Sequence, residues 1–149
     1  MNKNRMKDLE MLEFAYQQAL EGYASGGIPI GAAIFREGRL LGAGHNRRVQ
    51  DGSQVDHGEI NCLRVAGRGS FRGAVMASTL MPCAMCAGAI VQFGLVRVIV
   101  GEERTFCGER EFLQSRGVEV TVLDDERCRK LLEDFIRAHP TIWGEDIGT

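Results

Sequence analysis

The chain has 149 residues, 44% hydrophobic and 26% charged, with a formal net charge of −2 and a pI near 5.9. That length suits one domain over residues 1–149, and no apolar run reaches the ~18 residues that would mark a membrane span. The slight acidity argues against a nucleic-acid partner, because grip on phosphates needs clustered cations and the local cluster Arg47-Arg48 is too small to supply them.

The opening residues, Met1-Asn2-Lys3-Asn4-Arg5-Met6-Lys7, lack the apolar stretch of a secretion signal, so the reading is cytoplasmic. Residues 9–23 place Leu9, Leu12, Tyr16, Ala19, Leu20 and Tyr23 on one helical face, and Gly26-Gly27 stop that helix. Residues 30–35 read as a buried strand, Arg36-Glu37-Gly38 as a turn, and residues 39–44 as the return strand of a hairpin. A polar loop over 45–56 leads into a helix over 57–66 that ends at Gly67. A strand over 74–80 follows, and Pro82 then opens a helix over 83–93, where its missing N–H costs nothing. Residues 96–100 give a fourth strand, 109–115 a short helix and 118–123 a last strand.

Asp124 or Asp125 caps the final helix, in which Cys128, Leu131, Leu132, Phe135 and Ile136 recur at helical spacing. His139-Pro140 ends that helix and leaves residues 141–149 as a tail. A hairpin followed by alternating helices and strands predicts an α/β fold, a three-layer α/β/α sandwich around a mixed sheet.

The cysteines stand at 62, 83, 86, 107 and 128, an odd number that a disulfide framework would not prefer. Two short segments concentrate the chemistry: His57-Gly58-Glu59 and Pro82-Cys83-Ala84-Met85-Cys86, each at the start of a predicted helix. Cys83 and Cys86 are one helical turn apart, so both sulfurs face one side, and the helix N-terminus favours their thiolates. Strand-then-turn geometry ahead of each helix brings the segments together at one edge of the sheet.

His57, Cys83 and Cys86 then form a three-ligand set suited to Zn2+, leaving the fourth position to water as catalytic sites do. Glu59, two residues from a ligand, stands where a carboxylate can move protons without binding the metal. A closed structural site would need a fourth ligand. Cys62 lies five residues after His57 and points away on a helix, and Cys107 has no partner at zinc-finger spacing. Cys62, Cys107 and Cys128 are read as core or incidental thiols.

The order H-x-E…P-C-x-x-C is the signature of zinc nucleobase deaminases. Together with Gly27-Ile28-Pro29-Ile30-Gly31, Gly44-His45-Asn46, Asp124-Asp125-Glu126-Arg127-Cys128 and Trp143-Gly144-Glu145-Asp146-Ile147-Gly148, it makes the chain resemble the fungal-type cytosine deaminases of the cytidine deaminase-like superfamily. The resemblance implies a homodimer, a five-stranded sheet, and zinc on His57, Cys83 and Cys86 with Glu59 as proton shuttle. It also implies that Asn46 binds the carbonyl and ring-nitrogen edge of a pyrimidine and Asp146 its exocyclic amine. Phe106 and Trp143 enclose the ring on the same grounds, Ile30 forms an apolar wall, and Gly58 lies within the substrate-contacting segment.

The implied reaction is hydrolysis of free cytosine to uracil and ammonia by a zinc-activated water. The alternatives are deamination of isocytosine, 5-methylcytosine or guanine, a tRNA adenosine deaminase, or a zinc module without activity. Met81 stands where the family has a small hydroxyl residue, Asp56 where it has an apolar one, and Ala84 where it has an acidic one. The segment between the second helix and the third strand is also shorter. Met81 and Asp56 adjoin the ligands and bear on which base is accepted.

Overall fold

Strict alternation along the strands produces a sheet that is covered on both faces. The computed structural model describes residues 6–149, so residues 1–5 of the polar N-terminal stretch lie outside the described residues. Among the described residues the strands are β1 (Gly31–Arg36), β2 (Arg39–His45), β3 (Val75–Leu80), β4 (Arg97–Glu102) and β5 (Glu119–Val122). They lie in the order β2-β1-β3-β4-β5, with β1 antiparallel to both neighbours and β3, β4 and β5 parallel. The helices are α1 (Asp8–Ala24), α2 (Arg48–Asp51), α3 (Gly58–Ala66), α4 (Ala84–Gln92), α5 (Arg110–Ser115), α6 (Glu126–Ala138) and α7 (Pro140–Ile147).

Even-numbered strand residues Ala32, Ile34, Met76, Val98 and Val100 pack with Cys62 of α3, Ala87 and Ile90 of α4, and Leu113 of α5. Odd-numbered Ala33, Phe35, Ala77 and Ile99 pack with Met11, Leu12 and Ala15 of α1 and Cys128 of α6. A period of two with both sides apolar is what a sheet sandwiched by helices requires. The predicted α/β/α layering and five-stranded mixed sheet are therefore the observed ones. None of the described helices is long and apolar enough to cross a membrane.

Three local expectations need correction. α1 buries Met11, Leu12, Ala15, Ala19 and Gly22, while Leu9 and Tyr23 of the predicted face are 65% and 51% exposed. The helix lies so close to β1 that a Cβ on Gly31 would come within 2.1 Å of the Ala15 carbonyl oxygen. Close approach selects small residues for that face, and reading by hydrophobicity undervalues them. The loop over 45–56 contains the short helix α2, ended by left-handed Gly52. The tail over 141–149 is largely α7, with Pro140 in its first turn. The proline that stops α6 also starts the next helix, since its fixed φ suits a helical first position.

Asp125 caps α6, its carboxylate accepting from the Cys128 N–H at 3.0 Å. Burial pushes its carboxyl up, but that bond and the Arg127 guanidinium outweigh it and hold the group below the usual carboxylate range. A carboxyl lowered in the folded state stabilises the protein above its unfolded value and ceases to do so as pH falls through the folded one. Asp125→Ala should cost about 1 kcal/mol at pH 7. In urea melts the gap to the parent protein should close below about pH 4.

Candidate active site

Because β1 and β3 are antiparallel neighbours, the start of β1 and the end of β3 lie at the same end of the sheet. α3 and α4 both begin there. His57 and Cys83 are their N-cap residues, each with extended backbone (φ −64°, ψ 162° and φ −74°, ψ 177°), and Cys86 sits in the first turn of α4. The two segments meet over the central strands at one end of the sheet, and not at a lateral edge. The ligating atoms of His57, Cys83 and Cys86 all lie within 4.8 Å of one another.

The His57 Nδ1 stands 3.5 Å from the Cys83 Sγ. With Zn–N and Zn–S bonds of about 2.0 and 2.3 Å in a tetrahedron, adjacent nitrogen and sulfur donors are about 3.5 Å apart. One imidazole and two sulfurs at that spacing fit zinc. On the far side of the ring, His57 Nε2 lies 3.4 Å from Asp146 Oδ1, the outer carboxylate contact that orients a metal-binding histidine.

The electrostatics of the cluster are coupled. The hydrogen bond with Cys86, against burial and aided by His57, holds the Cys83 thiol down to about 4. The same bond and burial push Cys86 well above the ordinary thiol value, so Cys83 carries the charge of the pair. Burial opposes a charged His57, but the hydrogen bond to Cys83 and the charges of Asp146 and Glu59 raise it to about 9. Glu59 is 4% exposed, and burial followed by the Cys83 charge pushes its carboxyl up to about 7.

A small cavity opens onto this cluster and is lined by Ile30, Asn46, His57, Gly58, Glu59, Cys83, Phe106, Trp143 and Asp146. Every residue that the sequence singles out for the substrate is therefore on its wall. Asn46, fully buried, donates from Nδ2 to Asp146 Oδ1 at 2.9 Å and accepts the Arg48 N–H at 3.0 Å. Burial pushes the Asp146 carboxyl up against the pull of His57, Asn46 and Arg48. Phe106 and Trp143 meet edge to face at 6.2 Å between centroids.

The structure separates the two residues that flank the ligands in sequence. Met81 is 1% exposed and lines the cavity. Asp56 does not line it; its oxygens face Arg64 and the Asn61 amide, the latter at 3.5 Å. Cys62 is buried with its Sγ 3.4 Å from the Gly42 carbonyl, Cys128 is buried, and Cys107 is exposed. Leu80 and Ile147, also on the wall, escaped the sequence reading. Ile147 would have been found had residues 140–147 been read as a helix, since Trp143, Asp146 and Ile147 then share a face.

Residues 5–102 match the family described as the cytidine and deoxycytidylate deaminase zinc-binding region. The chain belongs to that family. Membership makes it a zinc-dependent hydrolytic deaminase. This deaminase is 42% identical over 145 residues to the cytosine deaminase of Candida albicans, covering 95% of this chain and 97% of that protein. A tRNA-specific adenosine deaminase of Buchnera aphidicola subsp. Schizaphis graminum is 27% identical over 150 residues, covering 92% of this chain and 97% of that protein. A structure solved in a study of A-to-I editing by tRNA:A34 deaminases has a TM-score of 0.75 at 26% identity, covering 83% of this chain and 99% of that one.

Elemental analysis of the purified deaminase should find about one zinc per chain, set by the three converging donors. His57→Ala and Cys86→Ala should lose it, whereas Cys62→Ser, Cys107→Ser and Cys128→Ala should keep it. Retention by either ligand variant would contradict the assignment.

Proposed function

We propose that this deaminase hydrolyses free cytosine to uracil and ammonia. The observation that carries the reading is the hydrogen-bonded Asn46–Asp146 pair lining the same small cavity as Glu59, His57 and Cys83. The cavity is small, and its apolar wall includes Ile30, Phe106 and Trp143.

The recognition follows from what these side chains have left to offer. Asn46 has used one N–H on Asp146 and one lone pair on the Arg48 N–H. A second N–H and a second lone pair remain, a donor–acceptor pair that matches the carbonyl and ring N–H of a pyrimidine. Asp146 has Oδ1 engaged by Asn46, so its other oxygen is the acceptor for an exocyclic amine. Ile30, Phe106 and Trp143 give the ring apolar contact on its faces and edges.

When bound, zinc supplies the nucleophile by lowering the pKa of a coordinated water to about 7. Glu59 does the proton work. It is a buried carboxyl two residues from a ligand, lining the cavity, where it can accept a proton and hand it on. It takes the proton from the attacking water and delivers it to N3, which makes C4 more electrophilic. Once the water oxygen has bonded to C4, Glu59 takes the remaining proton of that oxygen and passes it to the amine; the C4–N bond breaks, the C4 carbonyl forms and ammonia leaves.

The same reading makes residues 1–149 one deaminase domain in a cytoplasmic homodimer. Exposed Val65, Met85 and Phe93 on and beside α3 and α4 support an interface there, and sedimentation at twice 16.4 kDa would bear it out. A tRNA substrate is disfavoured because α7 closes one side of the cavity with Trp143, Asp146 and Ile147, and the net charge is −2.

Ammonia release should be measured from cytosine, isocytosine, 5-methylcytosine, guanine and a tRNA anticodon stem-loop. Cytosine should be turned over fastest; silence on cytosine with turnover of another member would move the specificity and keep the chemistry. Glu59→Gln should keep fold and zinc while kcat falls by about 10²–10⁴-fold. Full turnover in that variant would remove Glu59 from the mechanism.

A further inference from the structure

Glu102, the last residue of β4, is completely buried, although it is a carboxylate that the mechanism does not use. Burying such a group is costly unless several donors meet it. All three hydrogen bonds its side chain accepts come from the loop that follows. The Arg104 and Thr105 N–H groups donate to Oε2 at 2.8 and 3.0 Å, and the Thr105 hydroxyl donates to Oε1 at 2.5 Å. The next residue is Phe106, which walls the cavity and meets Trp143 edge to face.

The far end of the same loop is also fastened. The Glu109 N–H donates to the Pro82 carbonyl at 3.0 Å. Gly108 has φ +59°, and a Cβ on it would lie 2.5 Å from Met81 Cγ and 2.7 Å from the Pro82 carbonyl oxygen. The loop thus presses onto the turn that leads into Cys83. Phe106 spans two anchored points; on the near side Glu102 is the buried anchor, beside the more exposed pairs Arg104–Asp124 at 2.8 Å and Arg110–Glu103 at 2.7 Å.

We infer that Glu102 is the positioning residue for the Phe106 wall, acting through the Arg104-Thr105 turn and not on the substrate itself. Its value lies in hydrogen-bond acceptance. A glutamine retains all three bonds, with the amide oxygen taking both N–H groups and the amide N–H donating to the Thr105 hydroxyl. The inference rests on the cavity being the substrate site as proposed above. The sole tryptophan, Trp143, provides a readout that needs no substrate.

The test measures ammonia release from cytosine by zinc-loaded protein and acrylamide quenching of Trp143 fluorescence. Parent, Glu102→Ala and Glu102→Gln are compared, each also combined with Phe106→Ala. Glu102→Ala should raise KM about tenfold, with kcat within about twofold, zinc retained and Trp143 more readily quenched. Glu102→Gln should match the parent. On the Phe106→Ala background, Glu102→Ala should raise KM no further, since a residue acting through Phe106 has nothing left to position.

Parental KM and quenching in Glu102→Ala would overturn the inference. So would an undiminished tenfold rise on the Phe106→Ala background, or a glutamine variant as impaired as the alanine one. If Glu102→Ala does not fold, Thr105→Val removes one of the three bonds and should shift KM and quenching in the same direction by less; no shift overturns the inference. A parent protein silent on cytosine would defeat the substrate reading alone, and the quenching series would still decide whether Glu102 holds the loop.

Discussion

The site depends on two helices starting at one place. The antiparallel pairing of β1 with β3 brings the segment before β1 and the segment after β3 to the same end of the sheet, and α3 and α4 both take off from there. Each helix therefore points its unpaired N–H groups and positive end towards the other's first residue. That field, with the hydrogen bonds among the three ligands, lets sulfur carry charge at the mouth of a buried cavity. The 3.5 Å separation of His57 Nδ1 and Cys83 Sγ is the local expression of this arrangement. Shifting either helix by one residue would turn the ligand away, because successive side chains on a helix do not share a face.

From that meeting point the charge pattern spreads outward through one carboxylate. Asp146 touches the outer nitrogen of His57 and holds the Asn46 amide at 2.9 Å, and the Arg48 guanidinium stands 3.8 Å from the same oxygen. The group that orients a metal ligand is thus the group that fixes the amide facing the cavity. Gln54 donates to the Glu145 carbonyl at 3.0 Å and ties the same segment to α7. Metal-facing and ring-facing polar groups are consequently not independent: a displacement of α7 reaches His57 through a single hydrogen-bonding atom.

The legible parts of the sequence were those written in local pattern. Strand positions fell within two residues because apolar β-branched runs end at glycines, and the ligand set was legible because its spacing is tied to helix starts. What failed was decided by neighbours. The buried face of α1 is set by close contact with β1, so Ala15, Ala19 and Gly22 are inside while Leu9 and Tyr23 are out. α7 reads as a tail in the sequence because the proline that stops α6 hides the helix it also starts. Resemblance alone points to Asn46, Phe106, Trp143 and Asp146, since nothing in spacing joins positions 46 and 146. Glu102 carries no sequence signal at all: a glutamate at a strand end is ordinarily solvated, and only the fold shows it sealed beneath its own loop.

The division of labour between these parts bears on substrate choice. The family match ends at residue 102, so it includes the ligands and Glu59, whereas Phe106, Trp143, Asp146 and Ile147 lie beyond it. The cavity wall is shared between the two stretches: Ile30, Asn46 and Gly58 lie within the matched region, and Phe106, Trp143, Asp146 and Ile147 beyond it. Of the three departures near the ligands, Ala84 does not line the cavity, and Asp56 has its oxygens turned to Arg64 and Asn61. Met81 is different. It belongs at once to the core beneath α4 and α5 and to the cavity wall, and the Phe106 loop seats Gly108 on its side chain. A flexible thioether at that junction adapts its shape to both neighbours where a small hydroxyl residue would leave space between them. Of these positions, 81 is the one whose side chain lines the cavity.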